Sequence, residues 1–565
     1  VDALGADTAV RDQILHQERQ LAVVLDATLA MLPEPCLTAL AYAARLPADI
    51  VPWPWLRALV AQRHPEIGTH DPAEPDPWLT VRRQLDGLRL LTPGDDPEVA
   101  RMHRLVAAHL GARAGDGAEA DEALTAFLTE RASAIYDQTN APAAWELPAI
   151  VAALPSLLPP GTTRRGLAYR AVFLARKVAA YHNLPLAEAL LAATHPVFAS
   201  LVVSEPTNTV WQRDLSVSHE RVGDVLRDQG DLDGALRDYR ESLAIRERLA
   251  AGDPANAVWQ RDLSVSHNKV GDVLLAQGDL DGALRDYRES LAIRERLAAS
   301  DPANAGWQRD LSVSHEKVGA VLHDQGDLNG ALRDYRESLA IAERLAASDP
   351  ANAGWQRDLS SSHCYVGMVL QEQGDLDGAL EAYRKYQAGM QRLAASDPSN
   401  AGWQRDLSVS HEKVGDVLRS QGDLVGAMRD YRESLAIAER LAASDPANAG
   451  WQRDLSVSHE RVGDVLRDQA DLDGALQAYR EDLAIAERLA AGDPSNAGWQ
   501  RDLWVSYYRL ASVAEAAEEP EAKEWWQKAY TVLAGMVERG LFVSSQDMRA
   551  LASLRGKAGL DSDNG

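Results

Sequence analysis

The sequence predicts an all-α solenoid of stacked helix pairs, preceded by a small separate domain. Two observations carry the solenoid. Trp211, Trp259, Trp307, Trp355, Trp403, Trp451 and Trp499 stand 48 residues apart. Within each interval the apolar residues recur twice at helical spacing. A third observation sets off residues 1–113, which lack the period and read as short helices followed by a turn and a strand.

One unit, Asn256 to Ala303, shows why each element should form. Trp259, Leu263, Val270 and Leu274 make a first apolar stripe. Gly278 ends that helix because glycine tolerates left-handed backbone, and Asp279 stands where it can cap the next. Leu280, Ala283, Leu284, Tyr287, Leu291 and Leu297 make the second stripe, which stops at Ser300-Asp301-Pro302 because proline cannot continue a helix. Gly271 lies mid-helix, where glycine costs roughly 1 kcal/mol against alanine. Its return as Gly223, Gly319, Gly367, Gly415 and Gly463 implies close contact there, and Ala283 plays the same part in the second helix.

Six full units occupy residues 208–495. Residues 160–207 keep the phase through Leu167, Leu174, Ala175, Val178 and Ala187 and read as a degenerate first unit. Residues 496–540, rich in aromatics (Trp504, Tyr507, Tyr508, Trp525, Trp526), read as an altered capping unit, and 541–565 as a tail. Residues 114–159 form an Ala-rich helical linker in which Pro142, Pro148 and Pro155 are expected breaks.

This pattern resembles the tetratricopeptide repeat (TPR). Gly271, Gly278, Ala283 and Tyr287 match that family's small and aromatic positions, while His267 stands where an aromatic is usual. The family period is shorter, and the extra residues here are assigned to longer helices. The resemblance implies a right-handed superhelix whose first helices line a concave groove that receives a protein or peptide.

In the N-terminal region, helices are expected over Glu18–Leu32 (Leu21, Val24, Leu25, Leu29), from Cys36 to Leu46, through Val60 after Trp53-Pro54-Trp55, over Trp78, Val81, Leu85, Leu88 and Leu91, and over Leu105–Leu110. Pro33-Glu34-Pro35 reads as a break, residues 65–77 as a loop and Glu98–His103 as a strand. L-P-E-P-x-L-x-A-L at 32–40, W-L-x-x-L at 55–59 and Met102-His103-Arg104-Leu105-Val106 resemble the winged-helix module of bacterial NB-ARC-type STAND signalling ATPases. In that family the histidine contacts the β-phosphate of ADP, so the resemblance makes His103 a cofactor-binding residue. Arg104 stands where many members carry Asp. No G-x-x-x-x-G-K-[ST] occurs in the sequence. The resemblance therefore puts the nucleotide-binding core, with its ADP or ATP, in an upstream domain, and the initial Val in place of Met agrees with a fragment. No cofactor is expected in this chain.

Charge and composition narrow the partners. A net charge of −26 and a pI near 5.0 repel phosphate backbones and anionic lipid, which disfavours nucleic acid. Arg82, Arg83 and Arg89 on the would-be recognition helix do not outweigh this. Cys36 and Cys364 allow no disulfide framework and fit a cytoplasmic protein. No apolar run is read as membrane-spanning.

The regular ladders have bland readings. Rungs of the series His219, His267, His315, His363, His411 and His459 lie roughly 10 Å or more apart in stacked helices. Zn–N bonds of about 2.0–2.1 Å cannot bridge them, so the histidines are read as packing and no metal is expected. The tryptophans are read as sealing adjacent repeats. The Arg-Asp of W-Q-R-D either bridges repeats or faces solvent. Repeat 352–399 alone breaks the pattern in both helices: Cys364, Tyr365 and Met368 in the first, Tyr386 and Met390 in the second. By the TPR resemblance Cys364 and Met368 face the groove, where siblings carry Glu or Asn and mostly Asp. These five residues are the candidate partner contacts, with neutral drift as the alternative. No catalytic constellation stands out, so no enzyme activity is expected. The resulting expectation is a partner-sensing, autoinhibitory arm of a STAND-type ATPase, which also contacts its own upstream domain; the alternative is a constitutive TPR scaffold.

Overall fold

A computed structural model describes residues 22–69, 74–113, 117–138, 140–159, 164–181 and 183–560. The chain divides into two compact units, Val1–Ile293 and Arg294–Gly565.

The first unit opens with α1 (22–29), which buries Leu25 and Leu29 and leaves Val24 exposed. Glu18 and Leu21 of the expected helix lie outside the described residues. Next come α2 (Glu34–Ala43), β1 (Val51–Pro52), α3 (Trp53–Arg63), the single turn α4 (Pro65–Gly68), α5 (Pro77–Gly87), β2 (Leu91–Pro93) and β3 (Val99–Met102). The three longer of these helices, α2, α3 and α5, each carry proline in the first turn, where a missing N–H leaves no bond unmade. Pro33-Glu34-Pro35 therefore starts a helix as well as ending one. The strands form an antiparallel sheet in the order β1-β3-β2, with Val51 opposite Ala100 and Leu91 opposite Met102. Leu91 belongs to β2 because α5 stops at Gly87.

Helix α6 (Arg104–Arg113) closes the N-terminal region, and the linker holds α7 (Gly117–Asp137) and α8 (Glu146–Leu157). Pro148 and Pro155 lie within α8 and do not break it. Pro148 falls in the first turn, and Pro155 in the last turn, where the helix is ending anyway. A helix pair follows, α9 (Arg165–Ala180) and α10 (Leu184–Ser204), with Leu167, Leu174, Ala175, Val178 and Ala187 all buried. By length and composition α10 could cross a membrane, contrary to the sequence reading. Its Leu190, Phe198 and Leu201 instead join a core that runs from Leu25 to Val225.

The repeats proper pair a first helix of 20 residues, as in Ala305–Asp324, with a second of 21, as in Leu328–Ser348. The added length of the unit thus lies in the helices. Asn304 Oδ1 accepts the Trp307 N–H at 3.1 Å and caps the first helix. Gly326 ends it at φ +79, and Asp327 Oδ1 accepts the Gly330 N–H at 2.9 Å to cap the second. A Cβ on Gly415 would meet the Tyr431 ring at 2.7 Å, and Ala427 is fully buried, so both small positions are explained by close approach. This is the all-α TPR solenoid that the period predicts.

After the pair Ala497–Ala516 and Ala522–Glu538, the segment read as a tail forms one more helix, α25 (Ser545–Lys557). Ser544 and Asp547 make a capping box, and Leu554 and Ala558 are buried. This helix, with Trp504, Tyr507 and Trp526, closes the end of the last core.

Gly415→Leu should destabilise its helix pair by about 1–3 kcal/mol through overpacking against Tyr431. Hydrogen exchange should show lost protection within residues 401–444, and unchanged protection there would refute the contact.

Candidate functional site: a polar seam between adjacent repeats

The arginine and aspartate of W-Q-R-D join neighbouring first helices. Arg213 reaches Asp262 at 2.6 Å in the first unit. In the second unit Arg309 reaches Asp358 at 2.5 Å, Arg357 Asp406 at 3.0 Å and Arg453 Asp502 at 2.5 Å. The series extends outward: Arg165 of the degenerate pair grips Asp214, and Arg501 reaches Asp547 of α25 at 3.1 Å. The arginines are roughly half exposed, so each pair is worth about 0–1 kcal/mol. The tryptophans of the same block are half-buried.

The histidines are more than packing. His219, His267 and His315 each set Nδ1 2.8 Å from a second-helix aspartate, Asp238, Asp286 and Asp334. His411 stands 2.9 Å from Asp430. In two repeats the aspartate is Ala382 or Ala478. There burial lowers the pKa of His459, and burial with the Lys385 charge takes His363 down to about 4.

Repeat 352–399 corrects the expectation for two of its residues. Tyr386 and Met390 are 6% and 0% exposed, so they pack inside the fold and do not meet a partner. Tyr386 donates from its hydroxyl to the Asp406 main-chain oxygen at 3.1 Å. Cys364, Tyr365 and Met368 are half-buried. Tyr365 stacks on Tyr335 of the preceding repeat, ring centres 5.2 Å apart and planes 16° apart. Sibling repeats carry a cation at the Tyr365 position and pair it with an aspartate, as in Lys269–Asp224 and Arg509–Asp464, both at 2.6 Å. Here Ala320 has replaced the aspartate, and stacking replaces the ion pair. Met368 likewise replaces an aspartate, so Tyr383 donates to Gln371 at 3.1 Å, where Tyr431 donates to Asp416 at 2.6 Å. Burial pushes the Cys364 thiol up to about 11. The Ala320 and Tyr365 changes thus match each other, whereas Met368 stands opposite a retained cation position, Lys413.

A socket recurs between successive first helices, built each time from equivalent positions. In the first full repeat it is filled from within by Arg246, which is buried at 3% exposure. Arg246 donates from Nη2 to Glu220 Oε2 at 2.6 Å and from Nη1 to the Asp262 main-chain oxygen and Ser266 Oγ, both at 3.0 Å. Its Nε donates to Ser216 Oγ at 3.2 Å. Arg294, at the same position one repeat on, donates to the Asp310 main-chain oxygen at 2.6 Å.

In three repeats of the second unit this position is instead Ala342, Ala438 or Ala486, and a cavity lies beside each. Their volumes are about 250 Å³ at Glu316, about 170 Å³ at Glu412 and about 490 Å³ at Glu460. The walls are the counterparts of the Arg246 ligands: Ser312, Glu316 and Asp358 in the first, Ser408, Glu412 and Asp454 in the second. Burial raises the pKa of all three glutamates. Serine hydroxyls turn onto two of them: Ser338 and Ser362 donate to Glu316 at 2.9 and 3.3 Å, and Ser434 and Ser458 to Glu412 at 3.0 and 3.2 Å. In the third, Asp482 replaces the second-helix serine. It is 2% exposed, burial pushes it up to about 7, and its Oδ2 has no hydrogen-bond partner among the described residues. Sequence reasoning missed this socket. The signal was variation at the second-helix position opposite the acid: Arg246 opposite Glu220, Ala342 opposite Glu316, Met390 opposite Cys364.

His103 is exposed at the junction of β3 and α6, far in sequence from these sockets. Its Nδ1 accepts the Leu105 N–H at 3.3 Å, and Arg104 pairs with Asp49 at 3.2 Å. Arg82 lies 5.0 Å over the Trp53 ring and donates to the Pro97 carbonyl at 2.9 Å, so it is engaged within the domain.

Tetratricopeptide repeat family models match residues 214–296, 317–350 and 413–446. No curated protein matches the chain. Among solved structures, the STAND protein (signal transduction ATPase with numerous domains) with a tetratricopeptide repeat sensor from Pyrococcus horikoshii is 11% identical, with TM-score 0.50. The match covers 96% of this chain and 66% of that one. BtubC from P. vanneervenii is 19% identical over 47% of this chain and 94% of its own, with TM-score 0.37. The apo form of RapI is 14% identical over 70% of this chain and 99% of its own, with TM-score 0.42. Identities this low speak for the fold alone. A TPR array is an interaction scaffold that binds proteins or peptides.

Ala382→Asp should restore the sibling pair and raise the His363 pKa well above its present value of about 4. Because the folded pKa now lies below the ordinary one, His363 favours the fold above about pH 6.5 and that contribution is lost as the pH falls toward 4. An NMR titration of the ring, unchanged by the substitution, would refute the pairing.

Proposed function

We propose that this chain is the partner-sensing and autoinhibitory arm of a STAND-type signalling ATPase, with the array receiving a protein or peptide in its groove. The observation that carries the proposal is the N-terminal arrangement: α2, β1, the helices α3 and α5 with the single turn α4 between them, and a β2-β3 hairpin, with His103 exposed where β3 meets α6. That order is what a winged helix requires, and an exposed histidine at this junction can reach a nucleotide held by another domain. The fold likeness to a STAND protein with a TPR sensor over nearly the whole chain supports the same reading. The nucleotide-binding core, with its ADP or ATP, would precede this chain, and the cytoplasm is the compartment that suits such a switch. In the resting state the array holds the core on ADP, and partner binding releases it.

The test uses the complete protein with its preceding segment. His103→Ala should speed ADP release several-fold and raise basal signalling. Unchanged release and signalling would favour a constitutive scaffold. Residues 1–565 alone should not bind ATP, and tight binding by that stretch would contradict the division.

A further inference from the structure

The sockets beside Glu316, Glu412 and Glu460 have a ligand chemistry written into the same chain. Arg246 shows what the equivalent position holds when it is full: a guanidinium, buried, with every nitrogen donating to a carboxylate, a main-chain carbonyl or a serine hydroxyl. The acceptors persist where the arginine is gone. Ser312, Glu316, the Asp358 carbonyl and Ser362 are the counterparts of Ser216, Glu220, the Asp262 carbonyl and Ser266, each 96 residues on. Ser408, Glu412, Asp454 and Ser458 repeat the set. Only the donor has been removed, by Ala342, Ala438 and Ala486, and a cavity stands in its place.

We propose that these three sockets bind arginine side chains of a basic partner segment, each replacing the internal arginine that the first repeats supply for themselves.

Further observations agree. Neither Glu316 nor Glu412 joins an ion pair among the described residues; Oε1 of each is met by two serine hydroxyls that could rotate to accept from a guanidinium. In the third socket Glu460 is already held by Arg509 at 2.7 Å, but Asp482 adds a second carboxyl with one buried oxygen unmet. An unmet buried acceptor costs about 1–3 kcal/mol, which an incoming N–H donor would recover. The other arginines at the walls are each paired: Arg309 with Asp358, Arg357 with Asp406, Arg405 with Asp454, Arg453 with Asp502, Arg467 with Asp468 and Arg501 with Asp547. Arg309 and Arg357 are also about half exposed, so the socket between them is within reach of solvent. Trp355 and Trp451 form one side, where an aromatic face favours a guanidinium. Lysine fits less well: a point ammonium cannot span acceptors arranged around a planar fork. In repeat 352–399 the carboxylate and its partner position have become Cys364 and the buried Met390, so that socket has lost the chemistry and the series skips it.

The inference rests on the reading of the array as a partner-binding surface. It is tested by fluorescence anisotropy with a labelled peptide of alternating arginine and glycine, titrated with the full chain at physiological salt. The arginine peptide should bind at least about tenfold more tightly than its lysine counterpart, since bidentate, charge-assisted contacts are lost. Ala342→Arg, Ala438→Arg and Ala486→Arg together refill the sockets from within and should weaken binding by about tenfold or more. If the refilled chain does not fold, as circular dichroism would show, Glu316→Gln with Glu412→Gln keeps the volume and should weaken binding by a similar factor. No binding, equal binding of the two peptides, or undiminished binding to the folded variants would overturn the proposal. None of those outcomes touches the STAND reading, which stands or falls on nucleotide release.

Discussion

A tyrosine ring laid on a glycine sets the helix–helix distance of every full repeat. Tyr431 against Gly415 is typical: the glycine has no Cβ, so the ring of the second helix lies on the backbone of the first. In four of the six repeats the tyrosine hydroxyl then reaches an aspartate one residue past the glycine, as Tyr431 does to Asp416 at 2.6 Å. That aspartate faces a cation of the next repeat, as Asp224 faces Lys269. One close contact therefore fixes the pair and positions the charges that meet the following pair. Stability of such an array is a sum over neighbours, so a contact repeated in each unit governs the whole.

The same reasoning explains why divergence at two places comes in matched sets. Where the aspartate becomes Ala320, the cation opposite becomes Tyr365 and stacks. Where the glutamate becomes Cys364, the second-helix position becomes a buried Met390. Where only one partner changes, as at Ala342, Ala438 and Ala486, the buried acid stays and a cavity opens beside it. The polar seam is thus a set of alternatives: an internal arginine, an open acidic socket, or an apolar plug.

Much of this was legible in the sequence, and the limits are physical. The period, the two helices, the Gly278 and Asp279 punctuation and the need for small Gly271 and Ala283 follow from local chemistry and repetition. Two strands were missed because β1 and β2 have two and three residues, too few to show alternation. The His–Asp pairs were missed because their partners lie on different helices, 19 residues apart. Tyr386 and Met390 were misjudged because an apolar substitution reads alike whether it faces a partner or a core. Of the candidate sites, His103 is exposed where β3 meets α6, while the acidic sockets emerged only once the positions around Arg246 could be compared in space.

The central claim is that one socket design, made for a guanidinium, recurs along the array. It is tested most directly by NMR of arginine Nε–H groups in the chain carrying Ala342→Arg. The account predicts that the new side chain gives a slowly exchanging, shifted signal like that of the buried Arg246. A new signal exchanging as fast as those of surface arginines would mean that the cavity beside Glu316 does not accept the group that its counterpart holds.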